Sequence, residues 1–312
     1  MPNFEKSAFK SPLKNWDSTA SVRNGQRRLH DGNDATLLPF SPDLVPVISH
    51  SLVTSRDPDV AYNILGLRLF DYLRFTDYLE TEAVVPASML LARQELPLNL
   101  PMEMIFDGRK IATDEMYHAQ CAEDLLIQMS NQVGIRYPKP ETPTFLKKLA
   151  TIQNELKFED RALALLFFTI VSETLVTSIL KELPLDERVI GVIREVVQDH
   201  NEDEAKHSLY YGKVLEVVWE QLSVRQRDLV GPLVPQFMKI FLEPDKDAIL
   251  RCLTNAGFDR KEADQIWMET YPRAQIIQDI KMSAAPTIEK FRSVGALENA
   301  ATVDSFGVHE LL

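Results

Sequence analysis

Residues 200–207 read HNEDEAKH, and residues 114–118 read DEMYH. Both contain the pattern D-E-x-x-H: Asp114 and Glu115 lead to His118, Asp203 and Glu204 lead to His207. Residues three apart share one face of a helix, so each Glu and His can grip one ion together. A single E-x-x-H on a helix is ordinarily a surface pair. Two copies, each led by an aspartate, are much rarer by chance. His200 stands four residues before Glu204 and seven before His207, which places all three on one helical stripe. The chain has six histidines. His30, His50 and His309 fall in segments without helical patterning, whereas His118, His200 and His207 align with the repeated motif.

Working outward, apolar residues recur at three- and four-residue steps over 60–93, through Leu67, Phe70, Leu73 and Leu79. Pro86 within that stretch predicts a kink or a reset of the backbone hydrogen bonds. A second helix is expected over 107–133, with Gly134 as its cap. The segment YPKPETPTF (137–145) separates the halves. A third helix is expected over about 158–183, or from as early as Thr144, ended by Pro184. Asp186 is placed to cap a fourth helix, which runs to about Leu222. Shorter helices follow over 225–242, 246–256, 260–267 and 272–291, and the last residues read as frayed.

Residues 162–180 read ALALLFFTIVSETLVTSIL, long enough to cross a bilayer. Glu173 is its only charge, and a lone carboxylate is costly in lipid and in a dry core alike. The reading preferred is a helix buried on all sides, with Glu173 held by something positive from elsewhere. The order of long helices, a crossover after the second, and an isolated carboxylate on the first and third predicts an all-α, ferritin-like four-helix bundle with additional C-terminal helices. Bundles of this kind build a two-metal site from one Glu on each of two helices and Glu-x-x-His on each of the others. Glu115, His118, Glu204 and His207 supply the pairs, and Glu173 one single carboxylate. For the other, Glu80 and Glu82 are two apart and point to different faces, and periodicity does not separate them.

A metal-bound imidazole usually gives its other N–H to a carboxylate. Asp114 and Asp203 are the candidates, each serving the histidine of the opposite motif. Four carboxylates carry a charge of about −4 and two Fe(II) ions +4, so a filled site is neutral and an empty one buries repelling acids. Metal removal is therefore expected to raise the carboxylate pKa values and loosen the bundle. A mixed carboxylate and imidazole set suits iron or manganese. The absence of H-E-x-x-H argues against a zincin-type protease.

The 312 residues carry a formal net charge of −12, with 45% hydrophobic and 26% charged residues. That balance is globular and argues against nucleic-acid binding and against docking on anionic membranes. Cys121 and Cys252 make no disulfide framework, and no apolar run opens the chain, so a cytoplasmic setting is expected. Residues 1–35 read as a flexible arm, and 36–312 as a single domain with its bundle core at about 57–222 and C-terminal helices at 225–295. Within 37–50, three prolines predict an extended surface course.

These motifs resemble the di-iron N-oxygenase family typified by p-aminobenzoate N-oxygenase. Its pattern is an isolated Glu, then D-E-x-x-H, then an isolated Glu, then H-x-x-D-E-x-x-H. The matching text is Glu80 ahead of Val85-Pro86-Ala87, then DEMYH, then SETLVTSIL around Glu173, then HNEDEAKH. The resemblance covers about residues 60–220 at the level of motifs. It favours Glu80 over Glu82, because the family's ligand also stands six residues before a proline. It implies metal ligands Glu80, Glu115, His118, Glu173, His200, Glu204 and His207, two iron ions, O2 as co-substrate and an external electron donor.

The implied reaction is oxidation of an amine to hydroxylamine, nitroso or nitro in secondary metabolism. The amine would be an aryl amine, or an amino acid free or tethered to a carrier protein. A redox partner and a homodimer are compatible with this. Phe167, Phe168 and Leu175 near Glu173 are candidates to line a pocket, with core packing the plainer reading. Arg273 and Arg292 are candidates to meet a substrate carboxylate. The alternatives are a di-iron hydroxylase or desaturase acting on C–H bonds, an iron-storage ferroxidase and a non-catalytic helical scaffold.

Overall fold

The computed structural model describes residues 9–32, 36–132, 134–135 and 141–312, without the side chains of residues 132 and 177–179. Two short helices, α1 (Trp16–Thr19) and α2 (Ser21–Asn24), precede α3 (Ser51–Thr54). The first long helix, α4 (Pro58–Leu79), starts on Asp57, whose side chain accepts from the Asp59 N–H, with Pro58 in the first turn where no donor is needed. It continues through a π-turn at Glu80–Val84 into α5 (Val85–Ala92). Pro86 cannot donate to the carbonyl four residues back. The backbone widens just ahead of it, and the Val85 N–H bonds the Glu80 carbonyl five residues back. The expected reset at Pro86 thus takes the form of a π-turn.

The remaining helices are α6 (Met102–Gln132), α7 (Thr144–Glu155), α8 (Phe158–Leu180), α9 (Gly191–Gln221), α10 (Val224–Val230), α11 (Val234–Leu242), α12 (Lys246–Asn255), α13 (Arg260–Thr270), α14 (Arg273–Ser293) and α15 (Ala300–Val308). The expected end of α6 at Val133 and the first part of the Pro-rich link, 136–140, lie outside the described residues. Gly134 has φ of 66°, the left-handed conformation of a helix terminator. The stretch from Thr144 is a helix of its own: Leu156 is extended, and α8 starts afresh after it. Among the described residues there is no strand, only an isolated bridge between Leu38 and Val189.

The bundle consists of α4 with α5, α6, α8 and α9, which pack on one another. Helix α8 is apolar all round because a second layer covers its outer face. Phe168 meets Phe237 of α11 edge-on at 5.6 Å between ring centroids, and Phe167 lies 6.3 Å from Phe291 of α14. Among the described residues no helix is long and apolar enough to cross a membrane.

Four expectations are corrected. Asp186 does not cap α9, which starts after Ile190; its carboxylate accepts from the Ser41 hydroxyl and the Arg188 guanidinium. The prolines at 42 and 46 open 3-10 turns, not an extended run, and Val45 and Val47 are buried. The C-terminal residues are not frayed: Asn299 caps α15 by accepting from the Thr302 N–H, and Phe306 is fully buried. Residues 9–32, read from sequence as part of a free arm, lie against α6 and α9, with Leu13 and Ala20 buried. Arg27 and Arg28 hold them there through Asp124 and Asp199.

Candidate metal centre

The four bundle helices each bring acids or imidazoles to one interior point. Glu80 comes from the π-turn after α4, Glu115 and His118 from α6, Glu173 from α8, and His200, Glu204 and His207 from α9. None of the seven exceeds 7% exposure. Glu82, two residues on, is exposed.

Two clusters share two carboxylates. Ligand atoms of Glu115, His118, His200 and Glu204 lie within 4.8 Å of one another, and so do those of Glu115, Glu173, Glu204 and His207. Glu115 and Glu204 belong to both clusters. Glu80 joins on the first side, with its Oε1 3.7 Å from His200 Nε2. His118 Nδ1 is 2.9 Å from Glu115 Oε2, and His207 Nδ1 is 3.2 Å from Glu204 Oε1. The Nδ1 atoms of both therefore face the carboxylates, whereas His200 presents Nε2, 3.2 Å from Glu204 Oε1.

The other ring nitrogens cross between motifs. His207 Nε2 is 3.1 Å from Asp114 Oδ2, and His118 Nε2 is 3.4 Å from Asp203 Oδ2. Each aspartate thus serves the histidine of the opposite helix and fixes which nitrogen points inward. The N-terminal segment caps both. The Trp16 indole N–H donates to Asp114 at 2.8 Å, and the Ser21 N–H donates to Asp203 at 3.0 Å. Lys206 Nζ adds a second donor to Asp203 at 2.9 Å. Trp16 and Ser21 sit in a segment without periodicity, so nothing in the sequence singled them out.

The chemistry of the donor set fits metal. Glu80 Oε2, Glu115 Oε1, Glu173 Oε2 and Glu204 Oε2 are all buried without a hydrogen-bond partner. Glu115 Oε1 is 2.9 Å from His207 Nδ1, close in distance but outside hydrogen-bonding geometry. One orphaned oxygen on each of four glutamates is a cost that bound cations would remove.

Protonation of the metal-free cluster divides its acids. Burial, followed by the charges of neighbouring glutamates, pushes the Glu80 and Glu173 carboxyls well above their ordinary range. Burial pulls the same way on Glu115 and Glu204, but the imidazoles outweigh it and hold both below that range. Burial opposes charge on His118 and His207; hydrogen bonds and the charges of nearby acids overcome it, raising His118 to about 10 and His207 well above 6.5. Burial and then the His118 charge lower His200. Two of the four acids are thus pushed above the ordinary carboxylate range, and two are held below it by the imidazoles beside them. Among the described residues no Lys or Arg pairs with Glu173; the charge of His207 is what favours its ionised form.

Phe167, Phe168 and Leu175 are closed into the core and line no cavity at the site. Arg273 and Arg292 lie at the surface, paired with Glu310 and Glu289. Two cavities do reach the cluster. One, of about 510 Å³, ends on Glu80 and His200; the other, of about 700 Å³, ends on His118 and His200. Tyr72 borders both, with its hydroxyl buried and unpartnered.

Residues 24–295 match the family described as p-aminobenzoate N-oxygenase AurF. A relative named 4-aminobenzoate N-oxygenase, from Streptomyces thioluteus, is 23% identical over 290 residues, spanning 88% of this chain and 80% of that protein. With a match extending from the N-terminal segment through α14, the chain belongs to the p-aminobenzoate N-oxygenase family.

Proposed function

We propose that this protein is a di-iron N-oxygenase that uses O2 to oxidise an aryl amine at nitrogen. The observation that carries the reading is the set of four buried, unpartnered glutamate oxygens facing three imidazoles. His118, His200 and Glu80 would hold one ion, and His207 with Glu173 the other. Glu115 and Glu204 would be shared, and Asp114 and Asp203 would keep Nδ1 of His118 and His207 turned inward. When bound, an Fe(II) pair supplies electrons for the reduction of O2.

The protein's own contribution begins with charge. The four protons held by two imidazoles and two carboxyls carry the same charge as two divalent ions. The site can therefore exchange protons for metal without changing its buried charge. Converting an amine to a hydroxylamine consumes O2, two electrons and two protons and releases water. Turnover therefore needs an external electron donor. The cavity ending on Glu80 and His200, whose wall includes Leu67, Phe75, Leu79 and Val176, gives an aromatic ring a route to the cluster. The family match supports an aryl amine as the substrate class.

The test is anaerobic loading with Fe(II), followed by O2, a chemical reductant and aryl amines, with products read by mass spectrometry. Two irons per chain and an added oxygen on nitrogen are expected. Accumulation of many irons per chain without amine oxidation would point to a ferroxidase and overturn the proposal.

A further inference from the structure

We propose that the cavity ending on Glu80 and His200 is the amine channel and that it selects uncharged aryl amines over aminobenzoates. This rests on the N-oxygenase reading. The cavity is walled by Leu67, Phe75, Leu79, Val176, Leu180 and Leu183. The second cavity touches none of the four site glutamates and is roofed by Arg27 and Arg28, so the first is the better route to the orphaned oxygens.

Three arginines face the chosen cavity, and each already holds a carboxylate of the protein. Arg68 lies 2.7 Å from Asp71, Arg74 3.1 Å from Glu123, and Arg251 3.4 Å from Glu141. Asp71, Glu141, Glu243 and Asp245 all line the same space, so among the described residues its acids outnumber its guanidinium groups even before Glu80 is counted. A substrate carboxylate would have to share or break one of these pairs and would sit beside an acid of the protein. A neutral ring meets neither cost.

The experiment is calorimetric binding to the iron-loaded protein under nitrogen, comparing 4-aminobenzamide and methyl 4-aminobenzoate with 4-aminobenzoate. The neutral amines are expected to bind at least about tenfold tighter. Asp71→Asn, which releases Arg68, is expected to recover most of that difference for 4-aminobenzoate. Equal or tighter binding of 4-aminobenzoate by the parent protein would overturn the selectivity, and so would an Asp71→Asn variant with no gain. If neutral and charged amines are both oxidised with equal kcat/KM, only this inference fails. If no aryl amine is oxidised at all, the N-oxygenase reading fails with it.

A second inference stands on a different observation. We infer that Trp16 is a positioning residue for the metal on the His207 side. Asp203 receives two donors besides His118, from Ser21 and Lys206. Among the described residues, the hydrogen-bond partner of Asp114 besides His207 is the Trp16 indole, which reaches both of its oxygens at 2.8 Å. Loss of the indole N–H therefore loosens one histidine and leaves the other braced.

Co(II) titration of Trp16→Phe tests this without turnover. The first ion is expected to bind as in the parent, and the second about tenfold more weakly, the low end of the effect of losing a group that orients a ligand. Arg23→Ala, which removes the cation 5.6 Å over the Trp16 ring but keeps the N–H, is expected to bind both ions normally. Unchanged binding in Trp16→Phe, or equal weakening of both ions, would overturn the inference. A parent protein that binds fewer than two ions would instead count against the dinuclear site.

Discussion

His207 Nε2 lies 3.1 Å from Asp114 Oδ2, a contact between α9 and α6 that braces the two halves of the repeated motif against each other. With its counterpart between His118 and Asp203, it leaves Nδ1 of each ring facing the shared glutamates. Removing Asp114 removes both the orientation of the ring and the acceptor for its buried N–H. Asp114→Ala is expected to weaken iron binding 10–100-fold, by order of magnitude, and to cost the metal-free fold about 1–3 kcal/mol. Anaerobic Fe(II) titration and urea denaturation measure the two. Parental affinity in the variant would show that the brace is not needed.

Glu173 separates stability from function. It is 1% exposed and is the only charge between positions 162 and 180, and burial drives its carboxyl toward the protonated form. Glu173→Leu removes a polar group from a dry site and is expected to stabilise the metal-free protein by about 1–2 kcal/mol. The same variant should bind one iron, not two. A less stable metal-free variant would mean that the carboxyl makes a favourable contact there, and the ligand role would lose its support.

The metal-free protein should lose stability as pH rises above neutrality. Burial disfavours charge on His118, yet Asp203 and Glu115 lift it to about 10 in the fold, against 6.5 for a free imidazole. Its contribution is full below pH 6.5 and is lost as pH rises through 10. Glu115 and Glu204 are shifted the other way, so their contribution is present above 4.5 and fades as pH falls. Iron replaces the histidine protons, so the loaded protein should not share the alkaline loss. Thermal melts of both forms between pH 6 and pH 10 decide it, and parallel curves would refute the assignment of imidazolium groups. Iron affinity should rise with pH over the same interval, because loading releases protons.

Phe306 anchors the C-terminal turn at 0% exposure. Phe306→Ala should cost about 3–5 kcal/mol in denaturant unfolding. An effect below about 0.5 kcal/mol is what a frayed tail would give.

The helical content, the order of the bundle and the two D-E-x-x-H stripes were legible because they depend on spacing along one helix. Residues three, four and seven apart share a face whatever the rest of the chain does. Local spacing therefore put Glu115 with His118 and His200 with Glu204 and His207. It could not separate Glu80 from Glu82, because that choice turns on a π-turn beside Pro86 and on which face meets α6 and α8.

Contacts between distant segments were decided only by the tertiary structure. Asp114 reaches His207 across 93 positions, and Trp16 reaches Asp114 across 98, from a stretch with no pattern of its own. The same holds for charge. The sequence counted acids, but which two glutamates are pushed above the ordinary carboxylate range and which two are held below it depends on which imidazoles stand beside them in a buried space. Spacing along a helix is set by local geometry and can be read from the sequence, whereas burial and pairing come from chain segments that meet only on folding.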